Sequence, residues 1–211
     1  MRSFIAALCL WAGVEAVTRR GSCADHAVVG MENFDEEAWI GKEDFNGNWY
    51  EIAKDADFYD AGKSCSSEHY QRKFNGELVL ALNKYDLQNK WSQDVQNTIH
   101  TFRDGEYAIF SEGQVGDRDA STAKIILATD YINYAIEYVC VDIVAGKLFA
   151  ESVSIKARQP ELDDQFITLL DIIIAEKIPE YSRDDLYFIN QCSICPFADI
   201  QDIVIETEEA Q

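Results

Sequence analysis

The chain has 211 residues, 47% of them hydrophobic and 27% charged, with a formal net charge of −20. That length supports one domain with a sizeable core and is short for two. So acidic a surface repels phosphate backbones and anionic lipid heads, which argues against nucleic acid and against membranes as partners.

Residues Phe4 to Val14 form an apolar run behind Arg2 and lead into Val14-Glu15-Ala16, the small-residue pattern of a secretory cleavage site. The run is too short to span a bilayer, and no later run is long and apolar enough for membrane insertion. Residues 1–16 are therefore expected to be a signal peptide, and residues 17–211 a single secreted, extracellular domain. Losing one Arg and one Glu with the leader leaves the charge at −20. Of the six cysteines, Cys9 departs with the leader, and Cys23, Cys65, Cys140, Cys192 and Cys195 remain. An oxidising compartment favours disulfides, so two bridges and one spare thiol are expected. A spare Cys192 would admit a homo-oligomer.

Taken in order, Phe34, Ala38 and Trp39 fall at helical spacing and predict a short helix placed to plug one end of the fold. Gly47, two residues before Trp49, reads as a turn into a first strand whose indole points at the core. From that stretch alone, an ordinary buried strand tryptophan is the simpler reading. Asp55 to Ser64 is rich in Asp, Gly and Ser and reads as a loop. Cys65 to Phe74 and Leu78 to Tyr85 are strands joined by the hairpin signal Asn75-Gly76. Asn97 to Phe102, Tyr107 to Gln114, Lys124 to Asp130, Tyr134 to Asp142 and Leu148 to Lys156 complete a set of eight strands. Their punctuation by Asp104-Gly105, Gly116-Asp117, Asp130-Tyr131 and Ala145-Gly146 is that of a sandwich or a barrel. Glu161 to Glu176 breaks the pattern: Leu162, Phe166, Leu169, Leu170 and Ile173 recur at helical intervals behind Asp163 and Asp164, predicting one amphipathic helix packed outside the sheet. Tyr187 to Ile189 suits a last short strand, and Thr207 to Gln211 an acidic frayed tail.

Catalysis has no positive support. Cys192-Ser193-Ile194-Cys195 has redox or zinc spacing, but a redox motif needs a strand-to-helix context, and zinc needs two more ligands that only His26, His69 and His100 offer. No nucleophile turn is present, and Gly113 to Gly116 leads to no helix with a basic residue. No catalytic residue, no metal site and no required cofactor are expected.

Eight strands, one late helix, a leader and Gly47-x-Trp49 together resemble the lipocalin family. Thr129-Asp130-Tyr131 resembles the family's second block, a turn near the Gly-x-Trp end, and Arg158 resembles its third, an Arg laid across the strand tryptophan. Trp49-Tyr50-Glu51-Ile52, Ala128 to Ala135 with Tyr138 and Cys140, and Gln191 leading to Cys195-Pro196 are similar to the subgroup of apolipoprotein D, the insect bilin-binding lipocalins and the crustacyanins. The resemblance implies an all-β, eight-stranded antiparallel up-and-down barrel with one C-terminal helix outside. Gly47, Trp49, Thr129, Asp130, Tyr131 and Arg158 would close one end. It also implies disulfides Cys23–Cys140 and Cys65–Cys195, with the choice between Cys192 and Cys195 as partner of Cys65 open.

The implied function is transport or sequestration of a small lipophilic ligand: a bound chromophore of biliverdin or carotenoid type, or a fatty acid or sterol-like lipid. Matching to the subgroup and strand alternation nominate Tyr70, Leu80, Leu82, Lys84, Tyr107, Phe110, Ile125, Leu127 and Tyr138 as ligand contacts. Tyr107 and Phe110 have opposite parity, so only one faces inward unless a bulge intervenes. An inward Lys84 would need an acidic partner. For each of these residues plain core packing is the competing explanation. Two other functional readings stay open, an isomerase-like enzyme using Cys192 and an assembly protein with a self-filled barrel.

Overall fold

A computed structural model of the chain describes residues 17–26, 28–40, 47–55, 64–72, 78–86, 90–103, 106–115, 118–189 and 191; residues 17, 64, 78, 84–86, 90–103, 106–115 and 118–123 are described by their backbone alone. The strands are β1 (Val17–Arg20), β2 (Asn48–Asp55), β3 (Ser64–Arg72), β4 (Leu78–Asp86), β5 (Lys90–Arg103), β6 (Glu106–Val115), β7 (Arg118–Thr129), β8 (Tyr134–Val144), β9 (Leu148–Ala157) and β10 (Leu186–Phe188). Among the described residues there are also two α-helices, α1 (Glu36–Ile40) and α2 (Asp164–Lys177).

Strands β2 to β9 pair antiparallel with their chain neighbours, and β9 returns to pair with β2 through Tyr50↔Ala157 to Lys54↔Ser154. The sheet thereby closes into an eight-stranded barrel, which removes the open edges that a sandwich would leave. Where β2 and β9 diverge, β10 adds to β2 and β1 adds to β9. β1 carries no alternating apolar pattern and was not expected from the sequence. Its register is held by tertiary bonds, with Arg19 bound to the Glu151 carboxylate and to the Glu180 carbonyl.

The eight expected strands are all present. β5 and β7 begin earlier than the apolar signal does, at Lys90 and Arg118, where the backbone of 90–96 and 118–123 is held by ladders to β4 and β6.

Helix α2 starts on Asp163, whose side chain accepts from the Gln165 N–H at 3.2 Å. It lies outside the barrel and buries Leu170 and Ile174, followed by Ile178 and Tyr181, against Ile52, Leu127, Ile136, Tyr138, Val153 and Ile155. Leu169, expected on that face, is 38% exposed, since the buried stripe runs through 170, 174 and 178 at i, i+4 spacing. Cys23 and Cys140 form a disulfide that ties the N-terminal segment to β8. Cys65 is also disulfide-bonded; Cys192 and Cys195, like the expected leader, the Asn75-Gly76 turn and the acidic tail, lie outside the described residues.

Candidate ligand-binding site

The barrel's closed end is built from the Gly-x-Trp turn upward. Gly47 has φ +66°, and a Cβ there would stand 2.0 Å from the Tyr70 carbonyl oxygen, so only glycine fits. The tight approach brings Trp49, fully buried, onto Trp39 of α1; the two indoles stack at 4.7 Å and 29°. The Trp49 ring N–H donates to the Trp39 carbonyl at 3.2 Å, so the buried indole meets its polar requirement. Phe34, Tyr70, Leu80, Ile126 and Ala135 complete this apolar layer.

Arg158 seals it from below. Its guanidinium carbon lies 3.8 Å over the Trp49 ring, and its N–H groups donate to the carbonyls of Tyr131 (3.1 Å), Asn48 (2.9 Å), Ala38 (2.9 Å) and Trp39 (2.7 Å). Two of those carbonyls belong to the last turn of α1, where a cation is favoured. Burial brings the Arg158 pKa down to about 10, which leaves it charged at neutral pH. The Tyr131 carbonyl is presented by a turn in which Tyr131 adopts φ +65°. Asp130 Oδ1 accepts from the backbone N–H groups of Ile132, Asn133 and Tyr134, while the Thr129 hydroxyl accepts from the Tyr131 N–H and donates to the Tyr134 carbonyl.

Immediately above the indole layer the lumen is ionic. Lys124 Nζ on β7 lies 2.7 Å from Glu68 Oε1 on β3 and 3.7 Å from Glu137 Oε2 on β8. Lys156 Nζ on β9 is 2.5 Å from Glu137 Oε2 and pairs with Glu68 Oε2. Contacts from β3 to β7 and β9 cross the barrel, so these four side chains point inward. The Tyr70 hydroxyl donates to Glu68 at 2.9 Å, and a second pair, Lys54 Nζ to Glu51 Oε2 at 3.1 Å, borders the group. Burial alone would raise the Glu68 pKa, but two ammonium groups hold it well below the carboxylate range. Burial opposes the Lys124 charge too, and Glu68 and Glu137 overcome that, raising its pKa. Glu137 is pushed up, chiefly by burial.

Residues 46–188 match the lipocalin / cytosolic fatty-acid binding protein family. The chain belongs to that family. It is 30% identical to apolipoprotein D of Bos taurus over 159 residues, which is 75% of this chain and 78% of that one. Among solved structures it superposes on insecticyanin from the tobacco hornworm Manduca sexta with TM-score 0.66 and 18% identity, covering 85% of this chain and 92% of that one. Apocrustacyanin C2 gives TM-score 0.61 at 19% identity, covering 86% and 95%, and lobster apocrustacyanin A1 gives 0.57 at 20%, covering 83% and 96%. At these identities the structures show the fold.

Within this lipocalin the nominated contact residues divide. Tyr70 and Leu80 join Trp49 in the sealed apolar layer, with Leu82 packed against it. Ile125, Leu127 and Tyr138 lie instead in the outer cluster under α2, because Ile125 pairs with Tyr138 and Tyr138 with Val153 on the face opposite Glu68 and Lys124. The Tyr138 hydroxyl donates to Glu151 Oε2 at 3.0 Å, and burial raises its pKa. For these three the parity expected from the sequence fails. A register shift between Ile126 and Ala128 also lets Ile126 point in while Ala128 and Ile136 stay paired. Lys84, Tyr107 and Phe110 pair with Ser66, Phe102 and Ile99, and their side chains lie outside the described residues. The lumen residues the sequence reading missed are Glu68, Lys124, Glu137 and Lys156, together with Trp39 as the stacking partner of Trp49. Glu68 was recoverable: it shares the parity of Tyr70, and an ionisable residue on an inward register marks a site.

Among the described residues no His, Cys, Asp and Glu cluster suited to a metal ion is present, and no helix is long and apolar enough to cross a membrane.

Proposed function

We propose that the protein is an extracellular carrier that holds one small lipophilic molecule in the lumen above the ionic layer. The observation that carries this reading is a closed barrel with one end sealed by Trp39, Trp49 and Arg158, which leaves entry to the opposite end. Burial of ligand apolar surface, at about 25 cal/mol per Å², would drive binding. The Cys23–Cys140 disulfide supports an oxidising, secretory compartment.

The ligand class follows the family resemblance: a pigment of bilin or carotenoid type, or a fatty acid or sterol-like lipid. An absorption spectrum of protein isolated from its natural source, followed by organic extraction and mass spectrometry, tests it. A visible band that leaves with the extract supports the pigment form. Colourless protein with an extracted lipid supports the lipid form, and an empty extract from colourless protein counts against both.

A further inference from the structure

We propose that the ligand binds head-first, with a carboxylate at its buried end hydrogen-bonded to Lys124 Nζ; this rests on the carrier reading above and adds the ligand's polarity and direction. Trp49, Leu80, Ile126 and Ala135 are fully buried, as is Lys156, and Glu137 is 2% exposed, so nothing from the lumen reaches the indole floor. Exposure begins one rung higher. The Lys124 side chain keeps 16% of its surface although it points into the barrel and meets Glu68 from the far wall, and Val139, its neighbour across β8, is half-buried. Surface exposed at that position opens into the lumen, so the lumen's floor is an ammonium group and not an aromatic ring.

An ammonium has three N–H donors. Lys124 gives one to Glu68 Oε1 at 2.7 Å, and Glu137 Oε2 at 3.7 Å is beyond hydrogen-bond reach, which leaves donor capacity facing the lumen. Glu68 and Glu137 lie on the rung below, each bound to Lys156, so an incoming head group meets the cation first. A carboxylate matches it by charge and as an acceptor, whereas a purely hydrocarbon end would leave its remaining N–H donors without an acceptor in a dry cavity.

The test is competition by oleic acid and by oleyl alcohol against a fluorescent fatty-acid probe on the intact secreted protein. The acid is expected to bind about tenfold or more tightly than the alcohol, as a charge-assisted hydrogen bond requires. In Lys124→Met/Glu68→Gln, which removes both members of one pair and leaves Glu137 with Lys156, the two ligands should bind alike. Equal affinity in the wild type, or a preference that survives the double substitution, overturns the head-first placement while the carrier reading stands. No binding of probe, acid or alcohol to the wild type overturns the carrier reading and this inference with it. A second readout avoids mutation: bound oleate labelled with ¹³C at its carboxyl should stay ionised well below the pH at which the free acid protonates. Titration like the free acid contradicts contact with Lys124.

Discussion

Glu68 and Lys124 sit on strands four places apart in the sheet, yet their charged groups meet at 2.7 Å across the lumen. That contact exists only because β2 and β9 close the barrel, and with Lys156 and Glu137 it fills the narrow half with paired charge. Such a network is a weak source of net stability when whole and a large liability when broken. It fixes where a ligand stops.

Breaking the network on one side should therefore cost far more than removing a pair. Glu68→Gln leaves two buried ammonium groups sharing one carboxylate, and a loss of about 3–5 kcal/mol is expected in urea unfolding. Adding Lys124→Met should restore most of it. A single substitution costing less than about 1 kcal/mol would show that the charges are solvated in solution.

Arg158→Ala should cost about 3 kcal/mol or more, because it strips the indole of its cation and takes the guanidinium donors away from four carbonyls at the closed end. Arg158→Lys keeps the charge but not the fork, so it should recover only part of the loss. Full recovery by lysine would mean that charge alone closes the floor.

The Asp130 turn gives a signed dependence on pH. Burial acts to raise the Asp130 pKa, but hydrogen bonds from Asn133, Tyr134 and Ile132 outweigh it and hold the folded value below the ordinary 3.8. A folded value below the unfolded one means that the contribution is present above the unfolded pKa and is lost as pH falls through the folded one. Asp130→Asn should therefore be less stable than wild type by about 1–2 kcal/mol at pH 7, with the gap narrowing below pH 3.8. A gap that holds constant down to acid unfolding would contradict the role of the carboxylate.

Tyr138→Phe separates the outer face from the lumen. It deletes a hydrogen bond to Glu151 beneath α2 and should cost about 1 kcal/mol of stability with no change in ligand affinity. Weakened binding at unchanged stability would place Tyr138 in the lumen after all.

Replacing Cys23 and Cys140 by serine opens a link across 117 residues, and about 2–4 kcal/mol should be lost, read as a lower unfolding midpoint. No shift would mean that β8 and the N-terminal segment are held by other contacts.

The barrel was legible in the chain because its signals are local. Alternating strands and the helical recurrence around Leu170 each lie within a few residues, and Gly47-x-Trp49, with Thr129-Asp130-Tyr131 and Arg158, marked the closed end through the family resemblance. Cys23–Cys140, implied by the resemblance, is present. What the sequence concealed depends on register. A bulge between Ile126 and Ala128 changes which side chains face in near the floor, and the outward parity of Ile125 and Tyr138 follows from pairing with β6 and β9. β1 and the early parts of β5 and β7 carry no apolar period, since their backbone bonds come from neighbouring strands. Most of the ionic layer was hidden for a related reason: Lys124, Glu137 and Lys156 look like surface charges until closure brings β3, β7, β8 and β9 around one axis.

Native mass spectrometry of protein isolated from its natural source tests whether the lumen above the charged layer holds one lipophilic molecule. A single adduct per chain is expected, lost after organic extraction and regained by incubation with the extract. Bare polypeptide mass from the source, with no saturable uptake when the protein is offered fatty acids, sterols, carotenoids and bilins in turn, would contradict it.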